Sequence, residues 1–354
     1  MSSRFTRDGS PTLERHLTDV CNQVRDGIHA IIPRSRLEGI ALAGGYGRGE
    51  GGVLRRERGD QPYNDLEFFV FVRGSTLLND RRYQVALHNL GERLTPVAGM
   101  EVEFKIISST QLRRAKPSMF YYDLIMGHRW LTGNDSLLEG SDHHRDASRI
   151  PLHEVTRLLF NRCSGLLFAK ARLQQSNFDP EDADFVARNI AKAQLALGDA
   201  VLAGEGRYHW SCIERHQRLD ADATLREHHA DGVAFKLHPQ RCELGRDALA
   251  QLHAEVSALA KDLFLRLESR RLGHLFRSAS AYASGMINKC PEQPVWKSFL
   301  LQLRARPASL GCPQAMDRHP RESLLHAMAV MLWIDSTVDA DRLKAYEALW
   351  HRFN

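Results

Sequence analysis

Asp65 and Glu67 flank a single leucine at the head of the run DLEFFVFV, residues 65–72. In a strand, alternate side chains share a face, so both carboxylates point one way while Leu66, Phe68, Val70 and Val72 point the other. Phe69 and Phe71 continue the carboxylate face, which argues that it is buried further along. Two like charges side by side shift each other's ionisation strongly unless a cation stands between them. The natural cation is Mg²⁺, a hard ion that takes carboxylate oxygens and leaves positions for water and substrate phosphate; Mn²⁺ is an acceptable substitute. A third acid would complete a two-ion site for in-line displacement at phosphorus. The run MEVEFKII, residues 100–107, offers Glu101 and Glu103. Glu103 is favoured, being central and flanked by apolar residues, with Glu101 as second choice. The competing reading is that Glu101, Glu103 and Lys105 are the wet side of an edge strand.

Upstream, GGYGRGEGG places six glycines in the nine positions 44–52. A P-loop requires Lys and Ser or Thr after its last glycine, and Val53 and Leu54 stand there. Gly47, Gly49 and Gly52 have the spacing of a dinucleotide fingerprint, but the polar, turn-rich VLRRERGDQPYN follows instead of the apolar helix that fingerprint needs. The remaining reading joins glycines to carboxylates. Backbone N–H groups at a helix start hold the far phosphates of a triphosphate whose near end the metal holds. Gly44, Gly45 and Arg48 are the candidates for that seat, Arg48 neutralising phosphate charge from just inside the helix.

These residues need a scaffold. Before residue 150, β-rich runs at 40–43, 66–72 and 102–107 alternate with a helix expected over 80–94, an α/β pattern. After Pro151 the period becomes helical: Val155, Leu158, Leu159, Cys163, Leu166 and Leu167 share one face, and Leu249, Leu252, Val256, Leu259 and Leu263 another. The chain has 354 residues, enough for two domains, and is 43% hydrophobic without a membrane-length apolar run. The N-terminus lacks the apolar core of a signal peptide, and the six cysteines are far apart, so a cytoplasmic protein with free thiols is expected. A net charge of +5 spread over dispersed arginines does not define a nucleic-acid surface.

Taken together, Gly44-Gly45, Asp65-Leu66-Glu67 and Val102-Glu103-Phe104 resemble the nucleotidyltransferase superfamily related to DNA polymerase beta. GGYGRGE is similar to the uridylyltransferases that modify a nitrogen-signalling protein, the Asp-x-Glu form to aminoglycoside nucleotidyltransferases, and MGHRWLTGN (126–134) to the end of the catalytic domain in small bacterial members. The resemblance implies an α/β (α+β) catalytic domain with a mixed sheet over 38–145, an N-terminal helical segment over 1–37 packed on it, and an all-α acceptor-binding domain over 150–354. It implies two Mg²⁺ ions on Asp65, Glu67 and Glu103. The activity implied is transfer of a nucleoside monophosphate from an NTP to a hydroxyl of a small molecule or protein, with loss of pyrophosphate. By the same analogy Lys192 and Tyr208 are candidates for the triphosphate. The chain departs from the pattern in the 19 residues between Gly45 and Asp65, read as an inserted loop over Val53–Tyr63, and in Gly45 itself, where related chains often carry Ser.

The alternatives are an RNA-tailing nucleotidyltransferase, for which Arg270, Arg271, His274, Phe276 and Arg277 would be part of a strand-binding track, and a quiet antitoxin-like binding module of the same fold. Cys212, His216, His238 and Cys242 have zinc-ligand types and spacing. His144-Arg145-Asp146 copies a kinase triplet, but Pro151 stands where that loop needs Asn.

Overall fold

The computed structural model describes residues 4–284, 286–304, 310 and 317–353. Cys312 and the expected loop residues Pro307, Gly311 and Pro313 lie outside them. The chain forms two units. The first comprises Met1–Pro151, Glu205–Arg218 and Val233–Gln240; the second comprises Leu152–Gly204, Leu219–Gly232 and Arg241–Asn354. The units thus part where the sequence changes character, but two segments from the helical half fold with the first.

The first unit opens with α1 (Pro11–Ile31), started by the Ser10 hydroxyl accepting from Leu13 N–H and by Pro11 in the first turn. Then come β1 (Leu37–Leu42), the single turn α2 (Gly44–Gly47), β2 (Gly52–Leu54), β3 (Gln61–Tyr63), β4 (Asp65–Val72), α3 (Thr76–Ala98), β5 (Glu101–Ile107), α4 (Ser109–Arg114), α5 (Met119–Met126) and β6 (Arg129–Thr132). Four strands make one mixed sheet in the order β5-β4-β1-β6. β1 runs antiparallel to both β4 and β6, whereas β4 and β5 are parallel. Parallel neighbours need a long crossover, and α3 is that crossover. It stops at Gly99, whose φ of 73° is left-handed, and turns straight into β5.

Both sheet faces are covered, which is why β4 reads as an almost unbroken apolar run. Leu66, Phe68, Val70 and Val72 pack with Leu17, Val24 and Ile28 of α1 and with Leu87, Leu90 and Leu94 of α3. On the opposite face Phe69 and Phe71 join Ile107, Leu112, Leu124 and Ile125. Gly91 of α3 lies so near the Val102 carbonyl that a Cβ there would collide with it, so helix and strand pack closely beside Glu103.

Residues 53–63 are a hairpin rather than a structureless insertion, β2 pairing antiparallel with β3 from Gly52↔Tyr63 to Leu54↔Gln61. Tyr46 explains why it is ordered. Its hydroxyl donates to the Gly52 carbonyl at 2.8 Å and accepts from Tyr63 N–H at 2.8 Å, tying the glycine run to the strand before β4.

The later helices are α6 (Leu152–Leu173), α7 (Pro180–Gly204), α8 (Cys212–Arg218), α9 (Ala223–Leu237), α10 (Arg246–Leu272), α11 (Ala279–Ser284), α12 (Val295–Arg304), α13 (Pro320–Trp333) and α14 (Ala340–Phe353). α8 belongs to the first unit. Of the expected apolar faces, Val155, Leu159, Cys163, Leu166 and Leu167 are buried on α6, and Leu249, Val256 and Leu263 on α10. Among the described residues no strand follows β6, and no helix is long and apolar enough to cross a membrane.

Tyr46→Phe removes a buried hydroxyl and strands both the Gly52 carbonyl and the Tyr63 N–H. A loss of about 1–3 kcal/mol is expected, read as a lowered urea midpoint with an unchanged slope.

Candidate functional site

Parallel register decides which acids meet. β4 and β5 align Asp65 with Glu101 and Glu67 with Glu103, so four carboxylates sit at the starts of two neighbouring strands. Asp65, Glu67 and Glu103 each bring a carboxylate oxygen within 4.8 Å of the others, and among the described residues no other His, Cys, Asp or Glu group is arranged to hold a metal ion. Glu101 stands outside that trio and faces solvent.

The trio sits at the edge of the core. Two residues further along β4 the same face closes, where Phe69 packs on Phe120 with ring centroids 5.5 Å apart. The side chains of Glu67 and Glu103 keep 28% and 39% of their surface exposed, enough for substrate access. Burial, followed by the charges of Glu67 and Glu103, holds the Asp65 carboxyl above the usual carboxylate range. An acid whose proton is held more tightly in the folded chain lowers stability as pH rises from its unfolded value through its folded one. The Asp65 carboxylate therefore works against the fold at neutral pH.

The glycine turn lies against these acids. Gly44 has a φ of +63°, and a Cβ there would stand 2.9 Å from Glu67 Oε2, so the backbone approaches the carboxylate as only glycine allows. Ala43 N–H donates to the Glu67 carbonyl at 2.9 Å, fixing turn to strand. The N–H groups of Gly44 and Gly45 precede the first bond of the turn, from Gly47 N–H to the Ala43 carbonyl at 3.0 Å. Glycine spacing and the Asp-x-Glu pair, 19 residues apart in sequence, are adjacent in space.

Arg48 occupies a different position from the one expected. It ends the turn instead of sitting inside a helix, and its side chain is buried, Nη1 donating to the Trp210 carbonyl at 2.7 Å and lying 3.5 Å from Asp123 Oδ2. Tyr208 is buried in the same cluster, its hydroxyl donating to Asp123 Oδ2 at 3.2 Å and accepting from Arg215 Nη1 at 3.1 Å. Lys192 is on α7 in the second unit, half-buried. Glu50 has no motif to mark it in the sequence. This buried acid accepts from the Ser211 hydroxyl and from Cys212 N–H at 2.9 Å, which is one reason residues 205–218 fold with the first unit.

Lys105 has a more specific place than the wet strand face expected of it. Its Nζ donates to Glu67 Oε1 at 2.8 Å and lies 3.7 Å from Glu103 Oε2. The period of two that pairs Asp65 with Glu67 also puts Lys105 on the side of Glu103, so the signal was present.

The zinc set does not assemble among the described residues: Cys212 is buried against Glu50, and His238 Nε2 is 3.5 Å from Asp8. His144 is buried with Nε2 on the Leu112 carbonyl at 2.9 Å, in keeping with a chance triplet. The residues considered for an RNA track divide, Arg270, His274 and Arg277 being exposed and Arg271 and Phe276 held inward. Arg270 Nη1 donates to the Gly204 carbonyl at 2.8 Å, Arg271 grips the fully buried Glu268, and Phe276 is in the core.

Burial would raise the Glu50 carboxyl, but bonds from Ser211 and Cys212 and the charge of Arg48 outweigh it and bring the group below its ordinary value. An acid lowered on folding stabilises above its unfolded pKa and loses that contribution as pH falls through its folded one. Glu50→Gln is therefore expected to lower stability by about 1.5–3 kcal/mol at neutral pH. The gap from wild type should close on acidification below the carboxylate range, as followed by thermal unfolding.

No known family's sequence model matches the chain, and a search of curated proteins finds no match. Among solved structures, spectinomycin adenyltransferase from Enterococcus faecialis, determined with ATP and spectinomycin, aligns over 69% of this chain and 99% of its own at 16% identity, with a TM-score of 0.36.

Proposed function

We propose that the chain is a metal-dependent nucleotidyltransferase that moves a nucleoside monophosphate from an NTP to a hydroxyl acceptor and releases pyrophosphate. One observation carries this reading: three carboxylates from two parallel strands converge beside a glycine turn that opens with backbone N–H groups. The donor set fits Mg²⁺, since all three candidate ligands are hard carboxylate oxygens and lie within 4.8 Å of one another. Mn²⁺ has the same preference.

Each residue then has a task. Asp65 and Glu67 would hold the two ions. Gly44 and Gly45 donate backbone N–H groups to the outer phosphates. Glu103, the more exposed carboxylate, also accepts the acceptor hydroxyl's proton as that oxygen attacks phosphorus. Arg48, Asp123 and Tyr208 brace the far end of the turn against Trp210, and the Arg48 charge adds to the field felt by phosphate. The bound ions supply Lewis-acid charge neutralisation at the transferred phosphoryl group and leaving pyrophosphate. The acceptor is a small molecule or a protein.

The test is to incubate the protein with Mg²⁺ and each labelled NTP in a cell extract, beside a Glu67→Ala control. Label is expected to move into an acceptor fraction with wild type. The control should fall by about a thousandfold, as loss of several kcal/mol of charge stabilisation requires. Label transfer that survives in the control would remove Glu67 from the site.

A further inference from the structure

Lys105 is an odd neighbour for a metal site. It follows Glu103 by two residues on β5 and so shares its side of the strand. Its ammonium bonds Glu67 Oε1 at 2.8 Å and stands 3.7 Å from Glu103 Oε2, the two acids that come from different strands. It also lies over the Phe69 ring, 5.8 Å from the centroid. A cation over an aromatic face is attracted to it, so the ring favours this placement of the side chain.

We propose that Lys105 is a tethered counter-ion of the acidic trio: its ammonium joins Glu67 to Glu103 before metal loading and leaves them when a divalent ion binds. This rests on the reading that Asp65, Glu67 and Glu103 form a metal site. The ammonium stands on two of the three carboxylates that the ion would take, at Glu67 Oε1 and near Glu103 Oε2. An ion bonded to Glu67 and Glu103 would place a double positive charge within about 4 Å of it, where repulsion is strong at a partly buried site. One ammonium against three carboxylates leaves two negative charges, so the trio attracts a divalent ion while Lys105 restrains its binding.

The consequence is order. Metal alone must displace the lysine at full electrostatic opposition, whereas metal arriving with a triphosphate brings negative charge that the freed ammonium can meet. Its four-carbon stem lets it turn without moving the strand. Lys105 is thus a positioning residue that makes metal loading depend on nucleotide, and it performs no chemistry on the acceptor.

Mn²⁺ binding to the full chain in the absence of nucleotide tests this, by titration calorimetry and by the Mn²⁺ electron paramagnetic resonance signal. Lys105→Met is expected to bind Mn²⁺ at least about fivefold more tightly than wild type, the low end of ordinary coupling between two binding events. Lys105→Gln should behave likewise and stands in if the methionine variant folds poorly. Lys105→Arg keeps the charge and should stay near wild type. A non-hydrolysable NTP analogue should tighten Mn²⁺ binding more in wild type than in Lys105→Met. Equal or weaker Mn²⁺ binding by both uncharged variants overturns the proposal. If Glu67→Gln still weakens binding in that case, the metal site stands and only the role of Lys105 falls. Identical binding by wild type, Glu67→Gln and the lysine variants overturns both.

Discussion

Three carboxylates held together at one end of a sheet are the constraint on which the rest of the structure depends. Like charges at this spacing repel, and the Asp65 carboxyl is held above the usual carboxylate range first by burial and then by the charges of Glu67 and Glu103. The surrounding fold must supply the opposing stability. It does so through an apolar strand interior sealed on both faces: the residues alternating with the acids, Leu66 and Phe68, are fully buried, as is Val70 beyond them. Lys105 offsets part of the repulsion among the acids, its ammonium bonding Glu67 Oε1 at 2.8 Å.

Parallel pairing is what makes the convergence possible. Because β4 and β5 both begin at the same edge of the sheet, their first acidic residues are brought side by side, and the α3 crossover enforces that direction. The close approach of Gly91 to the Val102 carbonyl and the left-handed Gly99 hold helix and strand in this arrangement. From the other side the glycine turn is anchored three times: to β4 through Ala43, to the β2–β3 hairpin through Tyr46, and to residues 210–212 through Arg48 and Glu50. The turn is consequently fixed at the acids despite its glycine content.

What was legible in the sequence follows from what has a local period. The mixed α/β first half, the helical second half and the α3 crossover all announce themselves through spacing of apolar residues, and the carboxylate faces of β4 and β5 through the strand period of two. MEVEFKII favours Glu103 only by its central place in the run, whereas the register that sets it opposite Glu67 is a property of two strands together. The hairpin at 52–63 was hidden because each strand is only three residues long and one contains Pro62. Arg48 and Glu50 were misread or passed over because their partners, Trp210, Asp123, Ser211 and Cys212, are distant in sequence. Segments 205–218 and 233–240 joined the first unit for the same non-local reason.

The most direct measurement is crystallographic: soak or co-crystallise the protein with Mn²⁺ and a non-hydrolysable NTP analogue, and locate the metal by its anomalous scattering. The account requires metal density bonded to carboxylate oxygens of Asp65, Glu67 and Glu103, with the analogue's phosphates against Gly44 and Gly45. Metal density elsewhere, with Glu67 still bonded to Lys105 and no metal on the three carboxylates, would contradict it.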